Sequence, residues 1–516
     1  MSAHKSVKDL PEGGEKIDGS KVAGAKMLFA ILGVIGLGGT LIALFMDSGS
    51  RDDIADQASY SYLFAFTFAL TLGMGGLFWT ILHHATNSGW GISVRRQMEN
   101  IMGLLPWVFA LSIPFWIPSI REDLWEWEEK AVKLKKEAGE LVGEHLAAKK
   151  QKWSLELEKV QKEIEGREAL LENLEAGGEA KPGDLEAIKE QSYDLEKKLA
   201  VIKSEEPTKK SVLKYLMKDG DKENGLYGDT LLTEKWFFYF KDAKMRLFLY
   251  TVIFILIVYL LRSWSIRNDK IAGEDLFKRS RYWSCFFLIP FAVGYTFIVI
   301  DFLMSLNYKW FSTMWGVYLF AGAALNAMGL LVIVITWLKS KGYLKGVVTE
   351  EHYHLMGKFM FTFCVFWAYI AFSQYFLIWY ANITEETEFF LLRNSGEWRT
   401  VSMALVVGHF FIPFVILLWR DVKKKPHLIC TVAIWNMVMH IIDVYWIVIP
   451  ERAPSLSALA HVKDPVLWYP SALLFDFLAL IGVIGVMGYL LIHIIQKSSL
   501  YPCGDPRLEE SINVVN

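Results

Sequence analysis

Apolar residues in this chain gather into ten runs, at about 24–46, 60–84, 101–120, 244–262, 282–304, 311–338, 358–381, 401–419, 427–449 and 470–495. Each approaches the roughly 20 apolar residues that a helix needs to cross a bilayer. The runs are near-continuous rather than alternating, and a bilayer interior admits only helices or closed barrels. The pattern therefore predicts an all-α membrane protein with ten transmembrane helices. The first run begins well after Met1 and lacks a small-residue cleavage site, so it reads as a retained span rather than a secretory signal.

Basic residues in the short loops assign a direction to the spans. One side collects Arg95, Arg96, Arg262, Arg267, Lys270, Lys278, Arg279 and Arg281, then Lys339, Lys341, Lys345, Lys358, Arg420 and Lys423 to Lys425. The opposite short loops hold Arg51, Lys309, Arg393, Arg399, Arg452 and Lys463, with the acidic run Glu385, Glu386 and Glu388. Ten spans with both termini cytoplasmic fit this bias at every crossing. Residues 1–23 and 496–516 then form cytoplasmic tails, with spans 1–3 in 24–120 and spans 4–10 in 244–495.

The stretch 121–243 departs from this pattern. It is rich in Lys and Glu, and its apolar residues are sparse and periodic. Leu134, Leu141, Ala148 and Leu155 repeat every seven residues, and Val160, Ile164, Leu171 and Leu174 follow. A break from Gly177 to Gly183 precedes Leu185, Ile188, Leu195, Leu199 and Ile202. This spacing predicts an external α-helical coiled-coil hairpin on the outer side. It serves either as a solvated spacer or as a docking arm for another protein. A fainter echo joins Tyr62-Leu-Phe-Ala with Gly73 to Tyr318-Leu-Phe-Ala with Gly329 at equal spacing; duplication and chance both account for it.

Composition agrees with a membrane protein: 53% of residues are hydrophobic and 15% aromatic, with mean hydropathy +0.28. Four isolated cysteines (Cys285, Cys364, Cys430 and Cys503) form no C-x-x-C or haem-attachment motif. They are expected to be small apolar residues, and no metal, haem or iron–sulfur site is expected within this chain. No catalytic triad or Gly-rich phosphate loop appears, so any redox chemistry would run through other subunits.

Against this background the ionisable residues inside apolar runs carry the chemistry. Asp301, His409, His440, Asp443 and Asp476 lie on four different spans, and each such group costs about 2.5–3.5 kcal/mol or more at membrane depth without a partner. His440 and Asp443 are three apart, share a helix face and can bond. They are either a proton relay station or a polar pair that glues helices together. By depth, Asp301, Asp443, Asp476, Ser373, Gln374 and Tyr375 gather toward the outer face and His409 lies near the midplane, which predicts a half-channel opening outward. His83 and His84, ending the second span, are candidates for an inner proton entry or simply interfacial. His352 and His354 are expected to be solvated in a cytoplasmic loop.

Several of these residues stand in longer motifs. Asp301-Phe-Leu-Met-Ser-Leu followed by Trp310-Phe-Ser-Thr-Met-Trp-Gly-Val-Tyr resembles the F-type membrane subunit (ActF) of bacterial alternative complex III, a quinol-oxidising respiratory complex. So do Lys341-Gly-Tyr-Leu-Lys-Gly-Val-Val-Thr, the block Phe366-Trp-Ala-Tyr-Ile-Ala-Phe-Ser-Gln-Tyr-Phe-Leu-Ile-Trp-Tyr-Ala-Asn382 and Met439-His-Ile-Ile-Asp-Val-Tyr-Trp446 with Pro450. The similarity covers most of the chain outside 121–243. It implies ten helices as two four-helix bundles with flanking helices, in the bacterial cytoplasmic membrane. It also implies a quinol-binding sister membrane subunit, multihaem and monohaem cytochrome c subunits and an iron–sulfur subunit. Quinol, c-type haems and clusters would belong to those partners. Asp301, Ser373, Gln374, Tyr375, His409, His440, Asp443 and Tyr445 fall on matching motif positions. Asn307 and Tyr308 replace the family's usual acidic residue and proline, and the 121–243 hairpin is longer than the family leads one to expect.

Three functions therefore compete: a respiratory-complex subunit that conducts protons toward the outer face, a purely structural anchor, and an independent secondary transporter. Paired Gly/Pro interruptions at the midplane would mark the last, and the spans lack them.

Overall fold

Long helices dominate because nearly every backbone group in an apolar run must find its partner within the run. The computed structural model describes residues 6–7, 10–11, 13–45, 54–125, 127–177, 182–222, 224–235, 243–271, 274–452 and 470–515. Arg51 and Lys463, two of the basic residues weighed for direction, lie outside them, as do Gly178 to Lys181 of the break in the insert. No β-strand occurs among the described residues, only an isolated bridge between Asp221 and Leu226. Ten helices among them are long and apolar enough to cross a membrane.

The chain divides into two compact units, Trp127–Lys241 and the remainder. In the larger unit the first two spans are α1 (Gly19–Ala43) and α2 (Ile54–Ala85). The third is α3 (Ile92–Met102) continued by α4 (Leu105–Ala110) and a 3-10 turn at Ile113–Trp116, and α5 (Pro118–Leu124) follows. In the smaller unit lie α6 (Trp127–Gly177), α7 (Pro182–Ser204), α8 (Lys209–Asp219) and α9 (Thr230–Lys235). The membrane unit resumes with α10 (Ala243–Ile271), α11 (Glu274–Phe302), α12 (Trp315–Ser340) and α13 (Glu350–Ala381). Next come the short α14 (Thr384–Arg393) and a composite span, α15 (Trp398–Ala404), a π-helical turn (Leu405–Phe411) and α16 (Ile412–Leu418). The chain closes with α17 (Arg420–Lys424), α18 (Pro426–Val448), α19 (Pro470–Gln496) and α20 (Leu508–Ile512).

Helix α2 is the hub. Almost all of its length is buried, and it packs against α3, α11, α12, α18 and α19. Helix α1 pairs with α19 through glycines: a Cβ on Gly36 would stand 2.4 Å from the Gly482 nitrogen, and one on Gly485 2.2 Å from the Gly33 nitrogen. Small residues let two backbones approach this closely, which is how helices associate where lipid removes the hydrophobic drive. The two ends of the bundle are defined by tertiary bonds. The Leu500 amide donates to the Glu15 carbonyl at 2.8 Å, the Asp18 amide to the Tyr343 hydroxyl at 2.8 Å, and Lys26 Nζ to Gln496 Oε1 at 2.9 Å. These bonds gather both termini and the 341–349 loop at one end, here the terminal end; the other is the far end.

The third span corrects the sequence reading. It begins at Ile92 rather than near 101, so Arg95, Arg96 and Glu99 lie inside it and are buried. They neutralise one another, a pairing that residue-by-residue hydropathy does not register. His352 and His354, expected in solvent, are also buried; His352 Nδ1 lies 2.9 Å from the Thr349 hydroxyl in the box that caps α13.

In the smaller unit, α6 and α7 pack around Val160, Ile164 and Ile202, with Trp153, Leu157, Leu195 and Leu199 against them. Trp153 Nε1 donates to the Ile202 carbonyl at 2.8 Å. The heptad expected along early α6 is only partly the buried one: Leu134 is buried but Leu155 is 59% exposed. A straight helix drifts about 20° per heptad from a 3.5-residue repeat. Ala131, Leu134, Ala138 and Val142, spaced at 3.6, are the buried positions instead.

Candidate functional site

The polar residues of the membrane unit fall into separate groups at three depths. The central one is built on α18, where the three-residue spacing puts His440 and Asp443 on one face, both fully buried. His440 Nδ1 and Asp443 Oδ2 are 3.9 Å apart, beyond direct hydrogen bonding. Each reaches a different helix. His440 Nε2 lies 2.8 Å from the Thr71 hydroxyl of α2. Asp443 accepts from the Tyr318 hydroxyl of α12 and from Trp367 Nε1 of α13 at 3.2 Å. Gly322 makes room for the imidazole, since a Cβ there would stand 3.2 Å from His440 Cε1.

His409 completes this group from the π-helical turn. Such turns insert a residue and release carbonyls from the helical ladder. Here the Gly408 carbonyl accepts from Trp435 Nε1 at 2.8 Å, and the Cys364 thiol lies 3.6 Å from the His409 carbonyl. The His409 ring lies tilted against Trp367, with ring centres 4.0 Å apart, and stands 6.4 Å from the His440 ring. Both His409 ring nitrogens and His440 Nδ1 are buried without a hydrogen-bond partner among the described residues. Both side-chain polar atoms of Asn436 and the Oδ1 of Asn326 are likewise unpartnered. Asn436 is one turn from His440 along α18, and Asn326 one turn from Gly322 along α12. An unpaired buried polar group costs about 1–3 kcal/mol, so this set is a seam that gains by holding water. Phe68, whose ring is 6.1 Å from His440, also lines an apolar pocket of about 350 Å³ together with Phe29, Leu330, Trp337, Ile441 and Met487.

Toward the far end Asp476 forms a second group. It accepts from Ser61 at 2.5 Å, Tyr445 at 2.9 Å and Arg452 at 3.2 Å. Beside it Arg393 pairs with Glu451 at 2.9 Å and donates to the Trp446 and Ile447 carbonyls. Asp301 is held apart by a two-pronged bond from Arg246 at 2.9 and 3.0 Å and by the Tyr250 hydroxyl at 3.1 Å. The α13 residues diverge from the expected cluster. Gln374 is buried, Ser373 is half-buried, and Tyr375 is exposed with its ring against Phe390 at 5.2 Å. Helix rotation, which sequence does not fix, turns Ser373 and Tyr375 away.

The third group, at the terminal end, was largely missed. His83 and His84 are buried, as expected of neither loop nor interface, and they meet a charged cluster. His84 Nε2 is 3.9 Å from Glu99 Oε1. Glu99 Oε1 accepts from the Ser265 hydroxyl at 2.8 Å and lies 3.4 Å from Arg95 Nε, while Arg96 Nε is 3.1 Å from Oε2. Arg96 also reaches Asp269 at 2.8 Å, and Arg262 bonds the Glu99 carbonyl and Asn100. The signal available was the spacing of Arg95, Arg96 and Glu99, which places opposite charges one turn apart. Tyr318 and Trp367 were legible only as letters within longer motifs.

No group of three His, Cys, Asp or Glu side chains among the described residues is placed to hold a metal ion. No protein-family model matches the chain, and no curated protein matches it.

Proposed function

We propose that this chain is a non-haem, ActF-type membrane subunit of a quinol-oxidising alternative complex III, and that it conducts protons toward the outer face of a bacterial cytoplasmic membrane. In this reading the spans form two four-helix bundles with flanking helices, both termini are cytoplasmic, and 121–243 is a coiled-coil hairpin on the outer side that docks a partner. Quinol, c-type haems and iron–sulfur clusters belong to the sister membrane, cytochrome and iron–sulfur subunits.

The observation that carries the reading is the central group. Asp443 and His440 occupy one helix face, each bonded to a different helix, and His409 stands beside them with both ring nitrogens unpaired. A residue kept only to tie helices together has its polar atoms bonded, whereas an unpaired imidazole at membrane depth is costly and fits a transient proton carrier. Water along Asn326 and Asn436 would link the stations. Tyr445 and Asp476 then form the exit toward the far end. Asp301, closed by Arg246, is better suited to bracing α10 against α11 than to carrying protons.

A second reading, a structural anchor, is favoured by the fully bonded carboxylates of Asp476 and Asp301. Purification of the tagged native protein in mild detergent separates a respiratory-complex subunit, conducting or anchoring, from an independent secondary transporter. Co-purifying c-type haem absorbance and quinol oxidation are expected. A colourless single chain, from membranes whose other respiratory complexes stay intact, would refute the assignment.

A further inference from the structure

Residues 497–515 do not trail away from the membrane unit. Leu500, Tyr501, Leu508 and Ile512 are each at most 2% exposed, so the segment after α19 is packed down like core. Its polar contacts converge on the neighbourhood of Glu99. Asp505 takes a 2.9 Å bond from Arg95, whose Nε faces Glu99, and Gln97 of α3 donates to the Leu500 carbonyl at 2.7 Å. Asn268 of α10 donates to the Gly504 carbonyl at 3.2 Å, and Arg507 to the Asn87 carbonyl at 2.9 Å. Ser511 takes the Ser93 amide at 3.0 Å and gives its proton to the Trp90 carbonyl at 2.8 Å. Gly504 sits so close to α10 that a Cβ would lie 2.0 Å from the Asn268 carbonyl oxygen. The segment thus lies across α3 and the turn that ends α2.

What it covers is a polar site with atoms to spare. His84, 2% exposed, has neither ring nitrogen hydrogen-bonded, and Glu99 is fully buried. The groups facing them are His83 from α2, Arg95 and Arg96 from α3, and Arg262 and Asp269 from α10. From the segment itself come Cys503, Asp505 and Arg507. The four guanidinium groups of Arg95, Arg96, Arg262 and Arg507 outnumber the three carboxylates of Glu99, Asp269 and Asp505, so the site is held together without His84 being charged. The 3.9 Å gap between His84 and Glu99 is too long for a bond and short enough for a small side-chain shift to close.

We propose that the His84–Glu99 pair is the proton-exchanging site of the terminal end, and that residues 498–513 are the stopper that seals it. The inference rests on the proton-conducting reading above. A proton arriving from the terminal side meets the stopper first; when Asp505 leaves Arg95, water reaches His84. The proton then passes between the imidazole and the Glu99 carboxylate and onward along the buried seam toward Asn326 and His440.

Proton flux into proteoliposomes holding the full-length chain, driven by a potassium diffusion potential and read with a trapped pH dye, tests this. Three forms are compared: the intact chain, a chain ending at Lys497, and Asp505→Lys, which sets like charge against Arg95 without deleting anything. Each is also made with Glu99→Gln and, separately, with Asp443→Asn. The intact chain should be proton-tight, and the opened forms should leak roughly tenfold faster or more. Glu99→Gln should restore tightness in both opened forms. If a folded Asp505→Lys protein and the truncated chain are both as tight as the intact one, the stopper is refuted. If they leak and Glu99→Gln leaves the leak unchanged, the Glu99 site is refuted. In that last case Asp443→Asn tells the two proposals apart: a leak it blocks preserves the central relay, and a leak it leaves untouched removes that as well.

Discussion

Replacing Asp443 by Asn isolates the one thing a carboxyl can do that an amide cannot, which is to take up and release a proton. The geometry makes the exchange nearly isosteric. Trp367 Nε1 can only donate, so the amide oxygen should turn toward it; the Tyr318 hydroxyl can rotate to accept from the amide nitrogen. Both partners stay bonded. At most two charge-assisted bonds, about 1.5–3 kcal/mol each, become neutral ones of about 0.5–1.5 kcal/mol, so the variant should lose about 1–3 kcal/mol and still assemble. Asp443→Leu is the contrasting control. It leaves the Tyr318 hydroxyl and the Trp367 indole unpaired, at about 1–3 kcal/mol for each group. The assay is quinol oxidation and proton release by complex purified through a tag, with rates normalised to the complex recovered. General acid–base participation is worth about 100-fold or more, so Asp443→Asn should lower proton release per complex by that order while recovery stays near wild type. If the normalised rate of Asp443→Asn equals wild type, proton transfer through Asp443 is refuted. If activity falls only in step with recovery, the anchor reading stands in its place.

Three further outcomes follow from the geometry. Gly322→Ala adds a methyl 3.2 Å from His440 Cε1; it should displace the imidazole, cost about 1–3 kcal/mol by overpacking and slow proton release although no titratable group is lost, as measured by flux and thermal unfolding together. Gly482→Leu places a side chain against the Leu37 nitrogen, 2.3 Å from where its Cβ would stand, so α1 should separate from α19 and become open to proteolysis, while Gly38→Leu, with nothing within 4 Å of its Cβ, should not. In the smaller unit, hydrogen bonds from Asn224 and His145 hold the Asp221 carboxyl below its ordinary value of 3.8. A depressed folded value contributes stability that is present above pH 3.8 and is lost as pH falls through the folded value. Amide exchange protection of the 219–229 turn should therefore persist from pH 7 to pH 5 and disappear only in stronger acid.

The number of crossings was legible because span length and apolar content are properties of each segment alone. The third span shows where that stops. Arg95, Arg96 and Glu99 look like a loop when each charge is priced separately, and they enter the membrane unit because they meet one another and Asp269. The α18 face was legible too, since a three-residue spacing is local information. Its partners were not: Thr71, Tyr318 and Trp367 come from α2, α12 and α13, and only tertiary packing chooses them. The same limit explains Tyr375, which shares a motif with Gln374 yet points elsewhere because neighbouring positions on a helix differ by about 100°. The early α6 heptad misled for a related reason, since a seven-residue repeat and a straight helix part company within a few turns.

The pairing of α1 with α19 sets an order of events during synthesis. Helix α1 has as its main neighbour α19, more than 400 residues later in the sequence. At roughly 5–20 residues per second that separation is about 20 s or more. Until then α1 waits in lipid, where its apolar faces cost nothing, and the bundle stays open along the groove that α1 will occupy. The fold thus records whether α19 has been made, because a protein truncated before α19 keeps α1 unmoored and presents quality-control proteases with a mark that the paired helices lack.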